Sequence, residues 1–115
     1  MPYLKINHDD VKPTFEALDL PDEPRAWLVA CHNALGCSTI QIVPTVIRGL
    51  VLVIDDEGKL CDGWWNRINK VASILYGSDT NWDSIAGDAI IARVVGDNLA
   101  PLNSCDVDRL RRYFA

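Results

Sequence analysis

The chain has 115 residues, of which 49% are hydrophobic and 23% charged, with a net charge of −5 at neutral pH. That is enough apolar content for one core of ordinary domain size, which excludes a disordered chain, and no apolar run approaches the roughly 20 residues that span a bilayer. The acidic balance argues against non-specific binding to nucleic acid, which relies on Lys and Arg neutralising phosphates.

Residues 1–115 therefore read as a single domain, with a strand and loop over 1–13 ahead of a core over 14–114. The opening MPYLKINHDD lacks the basic-then-apolar order of a signal peptide, so the expected location is a cytoplasm. Tyr3–Ile6 alternates weakly as a short strand, His8–Pro13 reads as a loop, and Thr14–Leu18 alternates again as a second strand. Asp19–Pro24 is a turn. Pro24 suits the first helical turn, where its missing N–H costs nothing, and Asp22 is placed to cap the helix.

From Arg25 to Leu35 the residues Trp27, Leu28, Cys31 and Leu35 fall at helical spacing, and Gly36 stops the helix. Ser38–Val43 is a β-branched strand with Ile40 and Ile42 opposed to Thr39 and Gln41. Its end at Pro44 suits a sheet edge. Leu50–Ile54 is continuously apolar, as expected of a central strand covered on both faces. Too few residues separate these two strands for a parallel crossover, so they pair antiparallel.

The acids Asp55, Asp56 and Glu57 could in principle hold magnesium. With Gly58 behind them they read instead as a type I turn followed by a left-handed glycine, a hairpin that returns the chain onto its own strand. Ile68, Val71, Ala72 and Leu75 form a short helical stripe ending at Gly77, and Ser78–Asp88 is a polar loop carrying Trp82. Ala89–Val95 is a strand, and Gly96-Asp97-Asn98 supplies a turn. Asn103 or Ser104 caps a last helix, Asp106–Tyr113, whose apolar stripe is Val107, Leu110 and Phe114. Its acids come first and Arg109, Arg111 and Arg112 last, which matches the helix dipole better than it suggests an anion site. The sum is an α+β fold: a small mixed, mostly antiparallel sheet with two or three helices.

Chemistry is sparse. The chain has no G-x-S-x-G, Walker A, H-E-x-x-H or G-x-G-x-x-G sequence. Cys31, Cys37, Cys61 and Cys105 form no C-x-x-C pair, so they read as buried reduced thiols and no metal or cofactor is expected. Neither His8 nor His32 has an evident nucleophile to serve. The candidate ligand residues are Trp64, Trp65, Asn66, Arg67 and Trp82. Adjacent tryptophans cannot both enter one core from one helix face, and an exposed indole beside Asn and Arg offers stacking with directed hydrogen bonds. The competing reading makes Asn66 the cap of the following helix, packs one tryptophan and leaves Arg67 solvated. For Trp82 the alternatives are a binding residue and a loop anchor.

The order of a helix ending LGC, a STIQIVP strand, GLVLVIDDEGKL, WWNR, DAIIARVVGDNLAPL and a final DVDRLRRYF helix resembles a family of uncharacterised small proteins. That family, a domain of unknown function, is widespread in bacteriophages, plasmids and actinobacteria. Gly63, Asn66 and Arg67 carry much of the likeness, whereas Trp64 and Trp65 replace the smaller or proline residues of many relatives. The resemblance implies a phage or mobile-element accessory protein and supplies no catalytic residues. The leading expectation is a non-enzymatic protein that sequesters a small anionic, nucleotide-like ligand. The alternatives are a protein-binding inhibitor of a host defence enzyme, such as a nuclease or CRISPR complex, and, last, a small enzyme. An apolar edge strand and surplus tryptophans point to a homodimer.

Overall fold

The computed structural model describes residues 2–9, 15–60, 63–77 and 84–114. In chain order the strands and helices are β1 (Tyr3–Ile6), β2 (Glu16–Leu18), α1 (Pro24–Leu35), β3 (Ile40–Pro44), β4 (Leu50–Asp55), a 3₁₀ turn (Trp64–Arg67), α2 (Lys70–Tyr76), β5 (Ala89–Val95), β6 (Asn98–Ala100) and α3 (Ser104–Tyr113). The six strands form one sheet in the order β2-β1-β5-β4-β3, with β6 pairing β5 beyond the end of β1. Every described strand pair is antiparallel. This is the expected α+β fold, with three helices.

Alternation along the central strands sorts side chains to two cores. Leu50, Leu52, Ile54 and Ile91 face α2 and α3, where they meet Val71, Leu75 and Leu110. Val53, Ile90 and Ala92 face α1 and pack with Tyr3, Cys31 and Leu35. Ile90 and Ile91 are both wholly buried, on opposite faces. Each such isoleucine contributes about 1.5–3 kcal/mol of burial free energy, and the doubly covered parts of β4 and β5, Leu50–Ile54 and Ala89–Ala92, are apolar throughout.

Local signals place the helix ends. Gly36 closes α1 in the left-handed conformation, at φ +63°. The cap of α1 is Glu23, not Asp22: with Pro24 as the first helical residue, the Glu23 carboxylate folds back to accept from the backbone N–H of Arg25 and Ala26 at 3.1 and 2.8 Å. The buried stripe of α1 is also narrower than its spacing predicts, since Leu28 is 40% exposed. On β3 the deepest residue is Val43 rather than Ile40 or Ile42. Helices cover both faces of the sheet, but at this edge their cover is partial: Val43 reaches the core under α2 and α3, Ile40 is half-buried on the α1 side, and Gln41 and Ile42 stay exposed.

The turn after β4 forms, but the hairpin does not. The Asp55 side chain accepts from Glu57 N–H at 2.9 Å and its carbonyl from Gly58 N–H at 3.2 Å. Both edges of β4 are already taken by β3 and β5, so the chain cannot return onto it and passes to the 3₁₀ turn. Gly58 is not left-handed. A Cβ there would stand 2.9 Å from the Ala86 carbonyl oxygen; close backbone approach, not handedness, requires the glycine.

Candidate functional site

Trp64–Arg67 form a single 3₁₀ turn opened by Gly63. Trp65 is 62% exposed and its ring meets Trp64 edge-on, with centroids 6.0 Å apart. The Lys59 ammonium lies 5.4 Å from the Trp64 ring centre, a cation–π distance. Trp64 is half-buried and Asn66 exposed. Arg67 is half-buried rather than solvated, its guanidinium so close to Gly87 that a Cβ there would meet Nη2 at 3.3 Å. Asn66 is not the cap of α2: that cap is Asn69, whose Oδ1 accepts from Ala72 N–H at 3.0 Å. Trp82 lies outside the described residues, as does Cys61.

Asn69 is fully buried and organises what surrounds this turn. Its Nδ2 donates to the carbonyls of Ile6 and Gly87, both at 3.0 Å, and its backbone N–H donates to Ile85 at 2.8 Å. Gly87 N–H in turn donates to the Arg67 carbonyl at 2.7 Å. The end of the expected polar loop is thereby drawn inward, with Ile85 and Ala86 buried.

The same clamp brings the end of β1 beside the start of β5. His8 donates its backbone N–H to Asp88 Oδ1 at 2.9 Å, and its Nδ1 lies 2.8 Å from the same oxygen. Lys5 Nζ is 3.6 Å from Asp88 Oδ2, and His8 Nε2 is 3.1 Å from Asp9. Burial alone would raise the Asp88 pKa. The His8 backbone and ring hydrogen bonds, with the charges of Lys5 and His8, outweigh it and hold the carboxyl below its usual range. A carboxylate depressed in the folded state adds stability above its unfolded pKa and loses it as pH falls through the folded value. Asp88→Asn is therefore expected to lower the urea midpoint at pH 7, and the gap from the parent chain should shrink below about pH 4.

A cleft of about 200 Å³ opens between the Asp55–Lys59 turn and Ser84–Ala86, walled also by Gln41 and Tyr76. Asp55 and Asp56 line it, whereas Trp64, Trp65, Asn66 and Arg67 do not. Lys59 belongs to both regions. The described cysteines divide: Cys31 is buried, and burial pushes its thiol up to about 11, but Cys37 is half-buried and Cys105 exposed, so of these three only Cys31 fits the expected buried thiol. Among the described residues no group of three or more His, Cys, Asp or Glu could hold a metal ion, and no helix is long and apolar enough to cross a membrane.

A family model described as a domain of unknown function, DUF3846, matches residues 4–115. The chain belongs to the DUF3846 family. No curated protein and no solved structure matches it. The DUF3846 match takes in β1 from Leu4 onward, a strand that pairs with both β2 and β5 and supplies Lys5, and the turn after it, which supplies His8. In this DUF3846 chain the structure thus adds Lys5, His8, Asn69 and Asp88 to the residues that the sequence singles out. Asn69 stands directly before α2, where asparagine is a favoured cap, but the expected stripe starts at Ile68 and so runs past that start. The His8–Asp88 contact joins residues 80 apart and has no local sign.

Proposed function

We propose that this DUF3846 protein is a non-enzymatic accessory protein of phage or mobile-element type that binds and sequesters a small anionic, nucleotide-like ligand at its 3₁₀ turn. One observation carries the reading. An indole that is 62% exposed stands two residues from a half-buried arginine, with a second indole behind it. Trp65 supplies a stacking face, Arg67 the charge, Asn66 hydrogen bonds to a base edge, and Trp64 with Lys59 a backing that holds Trp65 upright. Binding without chemistry agrees with the lack of a nucleophile motif.

Calorimetric titration with a panel of cyclic and linear nucleotides tests it. At least one is expected to bind, and Trp65→Ala to weaken that binding roughly 10- to 100-fold, the worth of one base–aromatic stack. Arg67→Ala should weaken it without unfolding the protein, and Asp56→Ala should leave it intact. No heat and no thermal shift with any nucleotide would overturn the reading.

A second reading, inhibition of a host defence enzyme by direct protein contact, draws on Leu60, which is 79% exposed close in sequence to Trp65. Leu60→Glu separates the two, since it should abolish protein capture and spare nucleotide binding.

A further inference from the structure

The two edges of the sheet are built differently. β2 is three residues long, and its exposed Glu16 is held by Asn7 at 3.1 Å. Short length and charge are the usual protections of an edge strand. β3 is longer, and the stretch from Ala34 to Ile47 contains no Asp, Glu, Lys, Arg or His. Among the described residues no strand pairs with the outer edge of β3, which Pro44 interrupts at its end.

The register says which main-chain groups that edge presents. Asp56 N–H donates to the Thr39 carbonyl at 3.3 Å, and Gln41 and Val43 stand opposite Ile54 and Leu52. In an antiparallel ladder, hydrogen-bonding direction alternates residue by residue. Thr39, Gln41 and Val43 therefore bond inward to β4, while Ile40 and Ile42 turn their N–H and C=O groups outward. The Ile42 side chain, 50% exposed, also walls a cleft of about 360 Å³ shared with Tyr3, Trp27 and Leu99.

We infer that β3 is a homodimerisation edge, pairing antiparallel with β3 of a second copy about a two-fold axis at Gln41. In that register Ile40 of one copy faces Ile42 of the other, twice. Both outward pairs of N–H and C=O groups are used, and Pro44, which has no N–H, is left outside. The isoleucines bury each other on the α1 side, and two neutral Gln41 amides meet on the other. A second copy is the occupant that fits. Each chain carries a charge of −5, so two copies can approach only through a neutral strip. The antiparallel arrangement also turns the Asp55–Asp56 end of each strand toward the Arg48 end of the other. This inference stands independently of the ligand reading.

Sedimentation equilibrium of the full chain tests it, with the expected species being two chains of 12.8 kDa each. Ile42→Lys sets a cation into the isoleucine pairs and should raise the dimer dissociation constant ~100-fold with the far-UV spectrum unchanged, since misplaced charge at an interface is strongly disfavoured. Gln41→Cys reads the register directly. Oxidation should crosslink it across the axis well above the parent-chain background set by exposed Cys105, whereas Thr39→Cys should stay at that background. A monomeric parent chain, a dimer indifferent to Ile42→Lys, or a Gln41→Cys chain that crosslinks no more than the parent would each overturn the proposal.

Discussion

Asn69→Ala is expected to cost roughly 3–5 kcal/mol of folding stability, the largest loss from any single substitution argued for this chain. The side chain is fully buried and makes three hydrogen bonds, to the Ile6 carbonyl, the Gly87 carbonyl and the Ala72 N–H. Alanine removes all three partners at once and leaves two buried carbonyls and a helix N–H without water to replace them. Each orphaned group costs about 1–3 kcal/mol, and the vacated amide adds a small cavity. Urea unfolding should show a lower midpoint at unchanged slope, and the melting temperature should fall by roughly 15 °C for a domain of this size. Asn69→Asp is a sharper version. It keeps the acceptor for Ala72 but sets a carboxylate oxygen against the Ile6 and Gly87 carbonyls and buries an ionisable group, so it should leave the helix cap formed while driving Ile6 and Gly87 apart. The functional consequence follows from what those carbonyls neighbour. With Gly87 unclamped, Arg67 loses the backbone it rests on, while the pairing of β1 with β5 still holds His8 near Asp88. A variant folded at low temperature should then bind ligand poorly although none of the contact residues has changed.

What was legible in the sequence was local. Pro24, Gly36 and Asn103 act on the backbone within a turn of themselves, and the helix limits they imply agree with the structure to within two residues. Leu50–Ile54 declared burial on both faces because a strand with water on one side would alternate. What was not legible depends on how strands are ordered. The Asp-Asp-Glu-Gly segment carries genuine turn chemistry, and only the occupation of both β4 edges prevents a hairpin. Gly58 is conspicuous in the turn, but what requires it, the Ala86 carbonyl, lies 28 residues away. The aromatic turn could be picked out because tryptophans are conspicuous. Asn69, one polar residue among several, gave no sign of complete burial, and His8 and Asp88 meet only because β1 pairs with β5.

Asp106→Ala should cost about 2–4 kcal/mol and loosen the opposite end of the sheet. Asp106 is 3% exposed and has two duties. Within α3 it completes a capping box, accepting from Asn103 N–H at 3.0 Å while Asn103 Oδ1 accepts from Asp106 N–H at 2.9 Å. One turn on in the same helix its Oδ1 meets Arg109 Nη2 at 2.6 Å, and outside the helix its Oδ2 stands 3.5 Å from Arg93 Nε on β5. The cap alone is worth about 1 kcal/mol. Removing one member of a largely buried ion pair costs more, because the cations keep their desolvation and lose their partner. Arg93 and Arg109 are about a third and two-fifths exposed, so water relieves part of that loss and the sum stays below the Asn69 effect. Arg109 also donates from Nη1 to the Arg48 carbonyl at 2.7 Å, which ties α3 to the loop between β3 and β4. Asp106→Ala frees Arg109 to move and so slackens that loop, the connection that sets where β3 lies. Hydrogen exchange separates the two duties. Loss of the cap alone would speed exchange only in the first turn of α3, whereas loss of the charge pair should also speed it at Leu50, whose N–H donates to Ile47 within the loop. Asp106→Asn gives the intermediate case: it retains an acceptor for Asn103 N–H, removes the charge that holds Arg109, and should therefore keep the cap protected while the loop exchanges faster.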